Sequence, residues 1–385
     1  MKKIVLLTVL LIIGVLFAGQ IKRGFLSLLI LIDIVRPVER PVMGKFIDAP
    51  AKTTVTVSGN GRLIQADLYR PRSAGRHFPL LLVHSVNAAG KDDERIRRLA
   101  MALGRAGFLV LVPDLEGLKT LHIRTPDAED LLKCFLHLCG IERDGSGGGM
   151  LGIGYGAGPM LLAAADSRIR DQVRVVATIG GYYDLRSVML FSLTGAYEYG
   201  NDRGYVRPDG SLRWMFVYRN LDLLRTLDDR AVLKQVIDKK NQYEPAAADA
   251  IAKSLGPEGR ALYAFLSNSD QDRFAPLYEN LPLQVRELTY QLSPWRAMRY
   301  IKASFIIVHG VDDDSIPYTE SLRLADAVGD QNRVHRALLP YFVRREPVEP
   351  SAGEWFQRRF IGGWRLFSAI YVLLEKGAQH EYPAH

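Results

Sequence analysis

Between Leu151 and Met160 the chain reads Leu-Gly-Ile-Gly-Tyr-Gly-Ala-Gly-Pro-Met, with an apolar run before it and a helical pattern after it. Such a stretch must turn a buried strand into a helix within a few residues. This is the frame G-x-S-x-G, a turn so sharp that its central residue is held in a strained backbone conformation and its neighbours must be small. Gly152, Gly156 and Gly158 supply the space, and Ala163-Ala164-Ala165 lets the following helix lie close to the sheet. The centre carries no reactive side chain. In the better register, Gly152-Ile153-Gly154-Tyr155-Gly156, the nucleophile position is Gly154; in the other, Gly154 to Gly158, it is Gly156.

The same glycines also fit the dinucleotide fingerprint G-x-G-x-x-G/A through Gly152, Gly154 and Ala157. That fingerprint opens the first strand-helix unit of its domain and expects an acid about 20 residues on to hold a ribose. Here at least two strands precede it. Asp166 and Asp171 come too early for the acid and Asp184 too late. Dinucleotide binding ranks behind the strand-turn-helix reading, and no cofactor is expected.

Lys2 and Lys3 precede an apolar run from Ile4 to Gly19, and a second apolar run, Phe25 to Val35, follows Lys22 and Arg23. This is the layout of a signal peptide or a membrane anchor. No small-x-small cleavage site stands near Leu16-Phe17-Ala18, which favours an uncleaved anchor over residues 1–45. A helix over the first run reaches roughly 24 Å at ~1.5 Å per residue, slightly short of the ~30 Å hydrocarbon core. The second run reads as an interfacial segment or a cap on the following domain. The expectation is a membrane partner at the N-terminus, at a bacterial inner membrane with the domain facing the periplasm. A net charge of +8 suits anionic surfaces, but no basic run with interleaved aromatics supports nucleic acid. Cys134 and Cys139 sit five apart on one predicted helix and point to different faces, so no disulfide is expected between them. Nothing in the sequence sets an oligomeric state.

Residues 46–385 alternate strand and helix at the spacing of parallel crossover units. A hairpin is predicted across Thr53 to Tyr69 around Gly59-Asn60-Gly61, and buried strands at Phe78 to Val83 and Phe108 to Val112. Val173 to Ile179 follows the glycine turn. From Arg186 to Tyr300 no clear strand is visible, only helical patterning whose many charges read as a solvated face; an insertion of this length reads as a lid. Ser304 to Val308 resumes the sheet, Val334 to Tyr341 is its last strand, and a helix from Trp355 to Lys376 closes the chain. Its aromatic residues, Trp355, Phe356, Phe360, Trp364, Phe367 and Tyr371, recur at helical spacing and read as core.

This order of strands, turns and insertion resembles the α/β-hydrolase superfamily, nearest its dienelactone-hydrolase-like and peptidase-like branches, over residues 53 to 376. The resemblance implies a doubly wound, mostly parallel α/β sheet and a Ser, Asp, His triad in that chain order. The acid's motif, H-G-x-x-D-x-x-V/I-P, matches His309 to Pro317 and places the triad acid at Asp313. The oxyanion turn falls at His84-Ser85, with backbone N–H donors expected near Ser85 or Val86 and at Tyr155. The histidine's loop after the last strand reads Leu339-Pro340-Tyr341-Phe342-Val343-Arg344, which sets Arg344 where the base belongs. Arginine keeps its proton at any ordinary pH and takes none from a hydroxyl. Without the family match, Asp312-Asp313-Asp314 reads as an acidic turn that caps its own loop, and His84 and His309 as side chains that fix theirs. No metal is expected at either histidine.

Two of the three triad roles are thus filled by residues that cannot perform them. The reading is a membrane-anchored, hydrolase-like protein without triad hydrolysis that keeps a pocket for a small acyl or ester ligand. Its rival is a working ester or acyl hydrolase that uses Ser85, Tyr155 or a water held by Asp313.

Overall fold

The computed structural model describes residues 2–34, 41–59, 61–142, 145, 147–208, 210–340 and 357–378, and for residues 2–17, 211–212 and 357–359 the helical backbone alone. The two N-terminal apolar runs belong to one helix, α1 (Lys2–Ile34). The polar link between them, Gln20 to Arg23, is made of good helix formers, so the helix carries through it. Leu26, Leu29 and Ile30 of α1 are buried against the body of the molecule. Among the described residues no helix is long and apolar enough to cross a membrane, and the side chains of the apolar run before residue 18 lie outside them.

The hairpin predicted around Gly59 forms as β1 (Ala51–Ser58) and β2 (Leu63–Arg70), paired from Ala51↔Arg70 to Ser58↔Leu63. Then come β3 (Phe78–Val83), α2 (Glu94–Arg105), β4 (Phe108–Pro113), α3 (Glu116–Thr120), α4 (Pro126–Glu142), β5 (Gly148–Ile153), α5 (Ala157–Ala164) and β6 (Val173–Ile179). Among the described residues eight strands form one sheet in the order β1-β2-β4-β3-β5-β6-β9-β10, where β9 is Ser304–Gly310 and β10 is Val334–Leu339, with α13 (Thr319–Ala327) between them. The pairs β1/β2 and β2/β4 are antiparallel and the others parallel. Every residue of β3 and β4 is buried, which explains why those strands read as unbroken apolar runs: both faces are covered.

Two cores do the covering. Leu131 and Phe135 of α4 and Met160 and Leu161 of α5 fill one face. Leu26 and Ile30 of α1, Leu99 and Leu103 of α2, and Ile370 and Leu374 of α14 (Gly363–Ala378) fill the other. α2 is set by its own sequence: Asp93 caps it by accepting from the Arg95 N–H at 2.8 Å, and Ile96, Leu99 and Leu103 point inward at helical spacing. The reading of the C-terminal aromatics as core needs correction at Phe360 and Trp364; Phe367 and Tyr371 are half-buried, and Trp355 and Phe356 lie outside the described residues. Phe360 and Trp364 are exposed, and the aliphatic residues of α14 make the contact instead.

The insertion between β6 and β9 is helical, with α6 (Leu185–Thr194), α7 (Gly210–Arg219), α8 (Leu227–Asn241), α9 (Pro245–Ala252), α10 (Pro257–Leu266), α11 (Phe274–Glu279) and α12 (Leu283–Leu292). It has its own core around Leu233, Ile237, Phe265 and Tyr278. Contrary to the sequence reading it also holds two short strands, β7 (Ala196–Tyr199) and β8 (Asp202–Tyr205). β8 is exposed and β7 mostly half-buried, and they are tied by Tyr318 to Asp202 and by Tyr199 to Asp326, so no buried apolar run announced them. Arg124 ties the other side of the lid to the body through Asp222 at 3.0 Å and through Asn220.

Candidate functional site

β5 is central in the sheet, and the glycine turn leaves its C-terminal end directly into α5. Gly154 sits at its tip with φ +52°, the left-handed region that side chains rarely adopt. Gly156 is needed for closeness: a Cβ there would lie 2.1 Å from the His84 carbonyl oxygen. The tight centre and the crowded flank both suit the register centred on Gly154. A Cβ built on Gly154 would lie 2.3 Å from Ser85 Oγ and 3.1 Å from Ser85 Cβ. The hydroxyl of the neighbouring turn thus fills the space that a side chain at the tip would take. Sequence spacing gave no warning of this, because Ser85 reaches the tip only through the pairing of β3 with β5.

The turn holding Ser85 is fixed by His84, which is fully buried. Its Nδ1–H donates to the Ser85 carbonyl at 2.8 Å, and its Nε2 accepts from the Leu115 N–H at 3.2 Å, joining the ends of β3 and β4. Burial lowers its pKa, so the ring is neutral and serves as a strut.

Asp313 follows β9. Its Oδ1 accepts from the N–H groups of Ser315 at 2.8 Å and Ile316 at 3.0 Å, and its Oδ2 lies 3.6 Å from His309 Nε2. Burial pushes its pKa up, but the His309 ring and the two backbone donors outweigh that and hold the carboxyl below its ordinary range. The side chain therefore caps its own turn and also presents Oδ2 3.2 Å from where a Cβ on Gly180, at the end of β6, would stand. His309 is buried between the Ser321 hydroxyl at 2.6 Å and the Ile316 carbonyl at 3.0 Å. Arg344 lies outside the described residues, as do His380 and His385. His335 on β10 is turned to α14, with Nε2 3.1 Å from Ser368 Oγ, and burial lowers its pKa. Among the described residues no three His, Cys, Asp or Glu side chains gather as metal ligands.

Above the glycine turn the lid encloses an apolar cavity of about 110 Å³. Val86, Tyr155 and Tyr182 line it from the sheet side, and Leu193, Phe265 and Leu288 from the lid. Two expected oxyanion donors, Val86 and Tyr155, thus belong to its floor. Tyr155 packs on Tyr182 with ring centroids 6.0 Å apart, and the Tyr182 hydroxyl donates to the Leu292 carbonyl at 3.1 Å. Two residues here had no signal in the sequence. Glu320, fully buried, accepts from the N–H groups of Tyr183 at 3.0 Å and Asp184 at 2.7 Å and so fixes the turn where the lid begins. Arg213 of α7 lines the cavity, although the lid's charges read as solvated.

No protein-family model and no curated protein matches the sequence. Solved structures do. The acylaminoacyl peptidase of Pyrococcus horikoshii superposes with a TM-score of 0.50 at 13% identity, covering 87% of this chain and 42% of that one. A puromycin-hydrolyzing peptidase of Mycobacterium tuberculosis (TM-score 0.48, 14% identity, 86% of this chain, 39% of that one) and a dienelactone hydrolase-like protein of Klebsiella pneumoniae (TM-score 0.43, 14% identity, 86% and 100%) superpose more loosely. The chain spans less than half the length of the two peptidases, and identities this low speak for the fold alone. The strand order, with its antiparallel pairs at one edge and its sharp turn after the central strand, agrees with that likeness, and the chain has the α/β-hydrolase fold.

Proposed function

We propose that this protein binds a small acyl or ester-like ligand beneath its lid without hydrolysing it through a triad. The observation that carries the reading is the glycine at φ +52° on the tip of the turn, with Ser85 Oγ in the space of the missing side chain. Asp313 holds the acid position and is spent on its own turn and on His309. Arg344, at the base position of the resemblance, supplies no proton acceptor. Removing either the nucleophile or the base of such a set costs on the order of a million in turnover. The test is a burst assay with an activated ester and labelling with a serine-directed phosphonate. Neither should give a signal above that of the denatured protein.

Membrane attachment through α1 is part of the proposal. α1 is one continuous helix seated in the domain's core, so whatever holds its first residues holds the domain. Ile21, Phe25 and Leu28 continue its apolar character on an exposed face. The position of Ser85 favours one rival, in which the hydroxyl works from the oxyanion turn. Labelling of the unmodified protein, lost in Ser85→Ala, would establish that rival and end the binding-only reading.

A further inference from the structure

The lid cavity is walled by aliphatic and aromatic side chains, and among the residues that line it Arg213 is the one that carries a charge. Its Nε is wholly buried and has no hydrogen-bond partner among the described residues, although the residue as a whole is half-buried. Among the described residues Arg23 and Arg170 likewise have a buried Nε without a hydrogen-bond partner, but neither lines this cavity. Arg98 and Arg286 also leave Nε unbonded, but their terminal nitrogens reach Glu94 and Glu279, and Arg323 reaches the Glu198 carbonyl. Burial lowers the pKa of Arg213 with no acid opposing it. A cation held against apolar walls with no counterion among the described residues is costly, and what offsets the cost is an anion that arrives with its own apolar body.

We propose that Arg213 receives the carboxylate of a monocarboxylate ligand whose short apolar tail or single ring fills the cavity down to Tyr155. The proposal rests on the reading of this cavity as a ligand site. The planar guanidinium suits a carboxylate because it donates two parallel N–H bonds to it. A single positive charge balances a monoanion, whereas a phosphate monoester would leave charge uncompensated beside apolar walls. Size bounds the tail: a cavity of about 110 Å³ is of the order of the ~150 Å³ engineered cavity that takes up benzene. Longer chains require the lid to part at Arg124–Asp222.

The experiment is calorimetric titration of the full chain with benzoate, benzyl alcohol and phenyl phosphate, repeated on Arg213→Met. In the unmodified protein benzoate should bind about 10- to 100-fold more tightly than benzyl alcohol, the range of a charge-assisted hydrogen-bonded pair. In Arg213→Met benzyl alcohol should bind as before and the preference for benzoate should vanish. The variant should also melt no lower than the parent, since the charge it loses has no ion-pair partner among the described residues. Equal binding of benzoate and benzyl alcohol to the unmodified protein, or a preference that survives in Arg213→Met, overturns the role of Arg213 and leaves the cavity as a ligand site. Tighter binding of phenyl phosphate overturns the monoanion assignment, and a lower melting temperature for the variant shows a structural partner for Arg213 and overturns it too. Absence of binding by all three probes removes the ligand site and this proposal together.

Discussion

Placing serine at Gly154 should destabilise the protein through two separable effects. The residue sits at φ +52°, where an L side chain costs about 1–2 kcal/mol. Its Cβ would also stand 2.3 Å from Ser85 Oγ and 3.1 Å from Ser85 Cβ, and relieving such overpacking typically costs about 1–3 kcal/mol. Together Gly154→Ser should lose roughly 2–5 kcal/mol. Ser85→Gly removes both clashing atoms and leaves the backbone cost untouched. A double-mutant cycle read from urea midpoints should therefore give a favourable coupling of about 1–3 kcal/mol between the two changes. Additivity within about 0.5 kcal/mol would refute the argument that Ser85 occupies the side-chain space at the tip. The same variants bear on chemistry. Gly154→Ser alone should remain inactive towards activated esters. On the proposed reading, Gly154→Ser with Arg344→His supplies both absent roles, and adding Ser85→Gly clears the space in which the new hydroxyl must stand.

Asp313→Asn should cost about 1–3 kcal/mol near neutral pH by weakening the acceptor for Ser315 and Ile316. Because the folded pKa of Asp313 is lowered, its contribution is present above the unfolded value of about 3.9 and is lost as pH falls through the folded value. The gap between parent and variant should narrow in acid, and a gap independent of pH would count against the ionised cap. Glu320 has the opposite sign. Burial raises its pKa against the donors at Asp184 and Tyr183, so its stabilisation is present below about 4.3 and lost as pH rises through the folded value. Glu320→Gln should then gain on the parent as pH rises in denaturation series, and a constant difference would reject this. On fractionation the full chain should sediment with membranes and release only with detergent; recovery in the soluble fraction with an intact N-terminus would defeat the anchor.

Much of this architecture was written locally. The continuous apolar runs of β3 and β4, the hairpin around Gly59 and the Asp93 cap of α2 are each specified by residues within a few positions of one another, which is why periodicity and turn chemistry reveal them. The glycine turn was legible for the same reason, since a strand that becomes a helix this abruptly admits few side chains. The short strands β7 and β8 escaped because they bury little, so no apolar pattern marks them. The join of the two N-terminal runs escaped because charge in the middle of an apolar sequence reads as a break, although it does not stop a helix. What the site can hold was decided only in three dimensions. Ser85 meets Gly154 because β3 lies beside β5, and Arg213 faces an apolar cavity because the lid folds back over the sheet. A lone arginine among the lid's charges has the same local sequence whether it is solvated or enclosed. Its surroundings come from segments far along the chain, and only tertiary packing determines which of them remove it from water.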